Sequence, residues 1–219
     1  MKSSWCAEIA SKAYIDTIKA IKQGHLHESG GVSELFSAMA AGYKAQLIVE
    51  AWARGSDVDT SVGLAIASRH NSGRHVCVVP DERSRLEYVD ATRQAAGMEP
   101  EVVVGEAEEV MGALPGVDFM LVDCRRKDFA KLVRSAKVSS RGAVLVCKGT
   151  SSLIRGNQGF RWRGVLGSGT RVVRSVYLPV GKGVEIAQVR TGGGLESVNG
   201  SRWIKHVDRE TGEEHVFRR

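Results

Sequence analysis

The sequence predicts an α/β fold with a doubly wound, mostly parallel seven-stranded sheet that ends in an antiparallel hairpin. Three observations carry this expectation. Strand-like and helix-like runs alternate between about residues 46 and 148. Several of the strand-like runs are apolar almost throughout, as strands are when both faces of their sheet are covered. The last two runs are separated only by Gly181–Gly183, which is a hairpin turn and too short for a crossover. Short links between alternating elements imply right-handed crossovers and therefore parallel strands.

Each element has its own warrant. Ala10, Ala13, Tyr14, Ile18 and Ile21 recur at helical spacing, so a first helix is expected over about Ser4–Lys22. "QGHLHESGG" closes it, and His25 and His27 read as loop residues without a third metal ligand nearby. Val32, Leu35, Phe36 and Met39 mark a second helix, with Ser33 as its N-cap and Gly42 near its end. Strands follow at "QLIVEAW", "HVCVVP", "EVVVG", "VDFMLVD", "GAVLVC", "RVVRSVYLPV" and "VEIAQVR". Helices are expected between the first five, at Thr60–His70, Asp81–Ala96, Glu106–Leu114 and Lys127–Lys137. Asp59-Thr60-Ser61 reads as a cap for the first of these, while Asp81 and Glu82 place negative charge at the start of the next. Residues 1–191 then form one domain that includes N-terminal helices within 4–42. Residues 192–219 form an appendage in which Trp203–Val207 and His215–Phe217 flank the turn "DRETGE".

At 219 residues and 42% hydrophobic, the chain suits one mid-sized domain with a real core. No apolar run reaches the roughly 18–20 residues of a membrane span. The N-terminus lacks the pattern of a secretory signal. Cys6, Cys77, Cys124 and Cys147 show no metal-binding spacing, and three fall in or beside strand-like runs. That favours reduced thiols and a cytoplasmic or nuclear location. The net charge of +6 is unevenly spread. Residues 1–123 hold 11 Lys/Arg against 18 Asp/Glu, whereas residues 124–175 hold 13 against Asp128 alone. Such a block is either a solvated basic face or the footprint of a phosphate-bearing partner, be it small anion, nucleic acid or membrane surface.

Four stretches, in order, resemble the metal-dependent catechol and caffeoyl-CoA O-methyltransferases, which are class I S-adenosylmethionine-dependent enzymes of Rossmann-like fold. They are "VSELFSAMAAGYKAQLIVEAW", "VVPDERSRLEYV", "VVVGEAEEVMGALPGVDFMLVDCRRKDF" and "YLPVGKGVEIAQV", together spanning about Val32–Val189. The wording "LIVEAWARG…TSVGLAIASRH…RHVCVVPDERSRLEYV" looks closest to a family of plant proteins of unknown function described as methyltransferase-like.

The resemblance implies a cofactor site at the strand ends, with Glu50, Gly55, Asp81, Glu106 and Asp123 as its candidate residues. Glu50 takes the place of the acid that ends the first strand in methyltransferases. The family continues there into a glycine loop, but this chain has "AWARGSDVD", in which only Gly55 turns left-handed freely. Trp52 would obstruct a ligand if it pointed inward. Val79 stands where the family has an acid that accepts hydrogen bonds from both ribose hydroxyls, and a valine accepts none. The family's divalent ion is held by an aspartate after the fourth strand, matched by Asp123, and by an Asp-Asn pair after the fifth. That pair is replaced by Cys147-Lys148, a poor set for a hard cation, so no metal is expected. Cys124 and Cys147 read as buried thiols or, less simply, as soft-metal ligands.

Asp123 and Lys148 are the candidate catalytic pair. They form either a salt bridge or, if burial lowers the lysine pKa, a general base for a hydroxyl. Lys127 in "DCRRK" stands near a lysine of the related enzymes but is displaced by one. Arg125, Arg126, Lys148, Arg155, Arg161 and Arg163 are the candidate anion- or partner-binding residues, since ligands of open α/β sheets bind at the strand ends. The stretch "SSLIRGNQGFRWRGVLGSG" interleaves Phe160 and Trp162 with arginines, which suits an ordinary surface loop first, and otherwise a nucleotide, RNA, a lid or a partner-binding loop. Three functions follow. The leading one is a divergent methyltransferase-like protein without the metal-dependent chemistry, binding an anionic ligand or partner at this rim. The alternatives are an active metal-independent methyltransferase and a nucleic-acid-binding module.

Overall fold

A computed structural model describes residues 5–24, 31–151 and 160–192, together with the strand backbones 203–207 and 214–218. Helices α1 (Ala7–Gln23) and α2 (Val32–Gly42) precede the sheet. Then β1 (Leu47–Ala51), α3 (Asp59–His70), β2 (Arg74–Val79), α4 (Glu82–Ala96) and β3 (Glu101–Val104) follow in turn. They are succeeded by α5 (Ala107–Ala113), β4 (Phe119–Asp123), α6 (Phe129–Ser135) and β5 (Ala143–Lys148). A short α7 (Trp162–Val165) leads to the hairpin of β6 (Thr170–Leu178) and β7 (Val184–Thr191). Strands β8 (Trp203–Val207) and β9 (Glu214–Arg218) pair antiparallel with each other, as the alternation around "DRETGE" predicts.

The seven-stranded sheet runs in the order β3-β2-β1-β4-β5-β7-β6. Its first five strands are parallel and β7 is antiparallel to both neighbours, so the expected architecture is observed. The order reverses between β1 and β4, which places the topological switch point, and hence the crevice for ligands, at their C-terminal ends. Strands β1, β4 and β5 are buried almost without interruption, because helices cover both faces. Val49, Met120, Leu145 and Cys147 face a core closed by α5 and α6, while Ile48, Phe119, Leu121 and Val146 face α2 and α3.

Two helix starts differ from the sequence expectation. Gly31, with φ +80°, precedes α2, and Ser33 is a buried residue of its first turn rather than its cap. Val58 is the residue before α3, and no side chain caps that helix. Asp81 does cap α4, its carboxylate accepting from the Ser84 amide at 2.7 Å. The α1–α2 pair is joined by a buried hydrogen bond from Thr17 Oγ1 to Ser37 Oγ at 2.8 Å. Helix α2 approaches α3 so closely that a Cβ at Gly63 would lie 2.7 Å from the Ser33 carbonyl. Among the described residues no helix is long and apolar enough to cross a membrane.

Candidate functional site

The link between β1 and α3 is folded onto itself. The Ser56 amide donates to the Ala53 carbonyl at 3.0 Å, and Trp52 Nε1 donates to the Ser56 carbonyl at 3.2 Å. Gly55 takes φ +74°, yet its amide is used by Glu87 Oε1 at 3.0 Å. Trp52 is 1% exposed and packs against Tyr88, with ring centroids 5.4 Å apart, in a cluster that also holds Val58, Cys77 and Val79. The residues that could have formed a cradle of amides instead form a small satellite core around an indole.

Arg126 fills the adjacent space. It leaves the chain just beyond β4 and crosses the end of β1 to reach β2. Its Nη1 donates to the Trp52 carbonyl at 3.2 Å and to the Val78 carbonyl at 2.7 Å. Nε and Nη2 bind the Asp128 carboxylate at 2.8 and 2.6 Å. The guanidinium, with its side chain 4% exposed, thus lies across the switch point where a nucleotide cofactor of this architecture would sit. The Asp128 carboxyl is pushed up by partial burial, but Arg126 outweighs this and holds it below its ordinary value.

A cleft of about 440 Å³ remains beside this closed crevice. It lies between the start of α3 (Asp57, Asp59, Thr60), the ends of β4 and β5 (Asp123, Arg125, Lys148), and the β6–β7 turn (Val180–Val184), with Val32 on its wall. A chain of polar contacts runs along its floor. Arg125 binds Asp123 through Nη2 at 2.8 Å, Nε at 3.1 Å and its amide at 2.9 Å. Ser56 Oγ donates to the same carboxylate at 2.8 Å. Lys148 Nζ lies 4.0 Å from Asp123 Oδ2 and donates to Thr60 Oγ1 at 3.0 Å. Thr60 donates in turn to Glu50 Oε1 at 3.4 Å, and the other Glu50 oxygen accepts from Tyr88 at 3.1 Å and lies 3.3 Å from His75 Nε2.

This network sets the ionisation of its acids. Burial pushes the Asp123 carboxyl up, but the Arg125 hydrogen bonds, the Lys148 charge and Ser56 outweigh it and hold the group below its ordinary value. Glu50 is fully buried and would be raised by that burial, yet His75 and Lys148 also bring it below the ordinary value. Both are structural carboxylates, ionised and engaged.

The candidates named from sequence therefore occupy different settings. Among the cofactor candidates, Asp123 lines the cleft. Glu50 lies beneath it with its oxygens taken, and Gly55 faces Glu87. Asp81 caps α4, and Glu106 is an exposed residue at the start of α5. Among the cations, Arg125 and Lys148 line the cleft and Arg126 is buried. Arg161 and Arg163 are exposed on either side of Trp162 at α7, and Arg155 lies outside the described residues. Asp59 and Thr60 were read from sequence as a helix cap and Gly181–Gly183 as a hairpin turn, none of them as site residues. They sit at the start of α3 and in a turn, and only the topology brings them opposite β5.

The residues present do not fit the groups the fold is associated with. Val79 is 0% exposed inside the Trp52 cluster and offers a ribose no acceptor, while Trp52 and Arg126 take up the crevice. For a divalent ion, the Asp123 carboxylate is already neutralised by Arg125, with the Lys148 ammonium beside it. Cys124 and Cys147 face the opposite, α5–α6 core, and contact with Cys124 and burial push the Cys147 thiol well up. Among the described residues no three His, Cys, Asp or Glu side chains are grouped so as to hold a metal ion.

Several solved structures that superpose on this chain are methyltransferases. A methyltransferase from Podospora anserina, PaMTH1, bound to S-adenosylhomocysteine, superposes with a TM-score of 0.55 at 14% identity, over 85% of this chain and 89% of that one. The O-methyltransferase TomG from Streptomyces achromogenes, in complex with S-adenosylmethionine, gives 0.52 at 17% identity over 81% and 89%. An O-methyltransferase from Bacillus cereus with S-adenosylhomocysteine gives 0.52 at 13% identity over 82% and 91%. At these identities the likeness establishes the Rossmann-like methyltransferase fold. No curated protein matches the sequence. A family model spans residues 1–219, and the chain belongs to that family, described as Protein of unknown function (DUF1442).

Proposed function

We propose that this chain is a methyltransferase-fold protein that has given up S-adenosylmethionine and the metal-dependent methyl transfer of its structural relatives. It binds a ligand with an acidic group in the cleft at the strand ends, with that group directed to Lys148. The observation that carries the reading is Arg126, whose guanidinium is bonded to the carbonyls of Trp52 and Val78 across the switch point. A cofactor entering there would have to strip a buried guanidinium of its acceptors and also displace an indole. The neighbouring cleft keeps a lysine on its wall and is of ordinary size for a small-molecule site.

Calorimetric titration with S-adenosylmethionine and S-adenosylhomocysteine, with and without magnesium, tests the reading. No heat of binding is expected up to about 1 mM of either. Saturable binding near 1 μM, on the order expected of a working cofactor site, would overturn it and return the chain to the active enzymes.

A further inference from the structure

Two opposite charges line the cleft without meeting. Asp59, the first residue of α3, is 3% exposed and faces the cleft. Among the described residues its carboxylate has neither a hydrogen bond nor an ion pair within 4.0 Å. A carboxylate that lines a cleft without a partner keeps its acceptor capacity for a donor from the cleft. Lys148 faces the same cleft from the end of β5, with its side chain 15% exposed. An ammonium has three N–H groups, of which Thr60 takes one at 3.0 Å. Asp123, 4.0 Å away, is already held by Arg125 and Ser56, so Lys148 retains capacity for an acceptor from the cleft.

The wall between these charges is apolar and fixed in place. Val32, Val180 and Val184 supply it. The exit of β5 is tied to the β6–β7 turn by bonds from the Gly149 and Thr150 amides to the Gly183 carbonyl, at 2.9 and 3.1 Å, and from the Ser151 amide to the Lys182 carbonyl at 3.0 Å. Gly183 has φ +80°, and a Cβ there would come within 2.5 Å of Ser151 Oγ and 3.0 Å of its amide. Only glycine allows this approach, so the turn is a preformed wall.

We propose that the cleft binds a small aliphatic zwitterion, with a primary amine on Asp59, a carboxylate on Lys148 and its hydrocarbon skeleton against the three valines. The proposal rests on the reading that the neighbouring crevice is closed and that the cleft is a site in its own right. A simple anion would leave Asp59 without a donor, and a simple cation would leave the remaining N–H groups of Lys148 without an acceptor from the cleft. A quaternary amine has no N–H to give Asp59. The charged lining balances, Asp57, Asp59 and Asp123 facing Arg125, Lys148 and Lys182, which favours a ligand of zero net charge over a polyphosphate.

Titration of the full chain with valine, γ-aminobutyrate, butyrate and butylamine tests the proposal. At least one of the two zwitterions is expected to bind about tenfold more tightly than either singly charged probe. Asp59→Asn should abolish the advantage over butyrate, and Lys148→Met the advantage over butylamine, so each variant loses recognition of one charge only. Circular dichroism verifies folding, and Asp59→Glu, which displaces the charge, serves if the asparagine variant does not fold. Butyrate binding as tightly as both zwitterions, or silence from all four probes up to about 10 mM, would overturn the proposal. An adenosine arm, a probe without the amine and carboxylate pair, separates the two failures. Saturable binding of adenosine refutes the closed crevice, whereas silence of the zwitterions and of adenosine together refutes the zwitterion alone.

Discussion

Arg126→Ala removes the group that closes the switch point, and its cost can be worked from the contacts. The wild-type guanidinium forms a bidentate pair with Asp128 and donates to two backbone carbonyls, with its side chain 4% exposed. Removing one partner of a buried ion pair costs about 3–5 kcal/mol when the other charge stays buried. Asp128 is 28% exposed, so water recovers part of that loss and the pair alone belongs at the lower end. The carbonyls of Trp52 and Val78 then lose a donor in a dry setting, each adding on the order of 1 kcal/mol. A total of about 3–5 kcal/mol follows, equivalent to a fall in Tm of about 6–20 °C for a chain of this size. Urea unfolding followed by far-ultraviolet circular dichroism measures it. Arg85→Ala, which breaks an exposed pair with Glu82, is the control and should stay within about 0.5 kcal/mol. A loss below about 1 kcal/mol for Arg126→Ala would place it among surface pairs and refute the reasoning.

Two further outcomes follow from the same geometry. Gly63→Ala forces a methyl to within 2.7 Å of a backbone carbonyl of α2, and the helix pair has to shift; a loss of about 1–3 kcal/mol is expected by the same unfolding assay. Glu50 and Asp123 both have folded pKa values below their ordinary ones, so each contributes stability that is full only above about pH 5, beyond the unfolded values, and is lost as pH falls through the folded value. Stability measured from pH 5 down to pH 2 should fall less steeply in Glu50→Gln than in wild type, by up to about 1.4 kcal/mol per pH unit. Parallel slopes would mean that Glu50 takes up no proton in that range.

The sheet was legible because its signal is local and repetitive. Apolar runs such as "QLIVEAW" and "VDFMLVD", separated by short links, specify parallel strands whatever their partners are. Asp81 was legible for the same reason, since a cap acts three residues away. Ser33 was misread because the left-handed Gly31 sets the start of α2 and draws Ser33 into the first turn. The predicted helix at Lys127–Lys137 begins only at Phe129, because Asp128 turns back to hold Arg126. The site was legible only in outline. Glu50 stood out through the resemblance, as the acid that ends the first strand in methyltransferases, but its partners Tyr88 and His75 come from other elements. Arg125 and Arg126 are adjacent and identical in type, and sequence gives no sign that one faces a cleft while the other is buried across β1. That distinction depends on which carbonyls the topology brings near.

The closure of the crevice bears on affinity as a matter of degree. A protein whose competent state is rare binds with its intrinsic constant divided by that state's population. If admitting a cofactor means freeing the Arg126 guanidinium, the open state lies about 3–5 kcal/mol above the closed one, and an intrinsic constant near 1 μM weakens by about 10²–10⁴-fold. The result falls at about 0.1–10 mM, before any loss from Val79 in place of a ribose acceptor. On the proposed reading, Arg126 alone weakens a cofactor site by this factor without altering the sheet that carries it. The same argument leaves the Lys148 cleft untouched, since none of its lining residues has to move for a small ligand to enter.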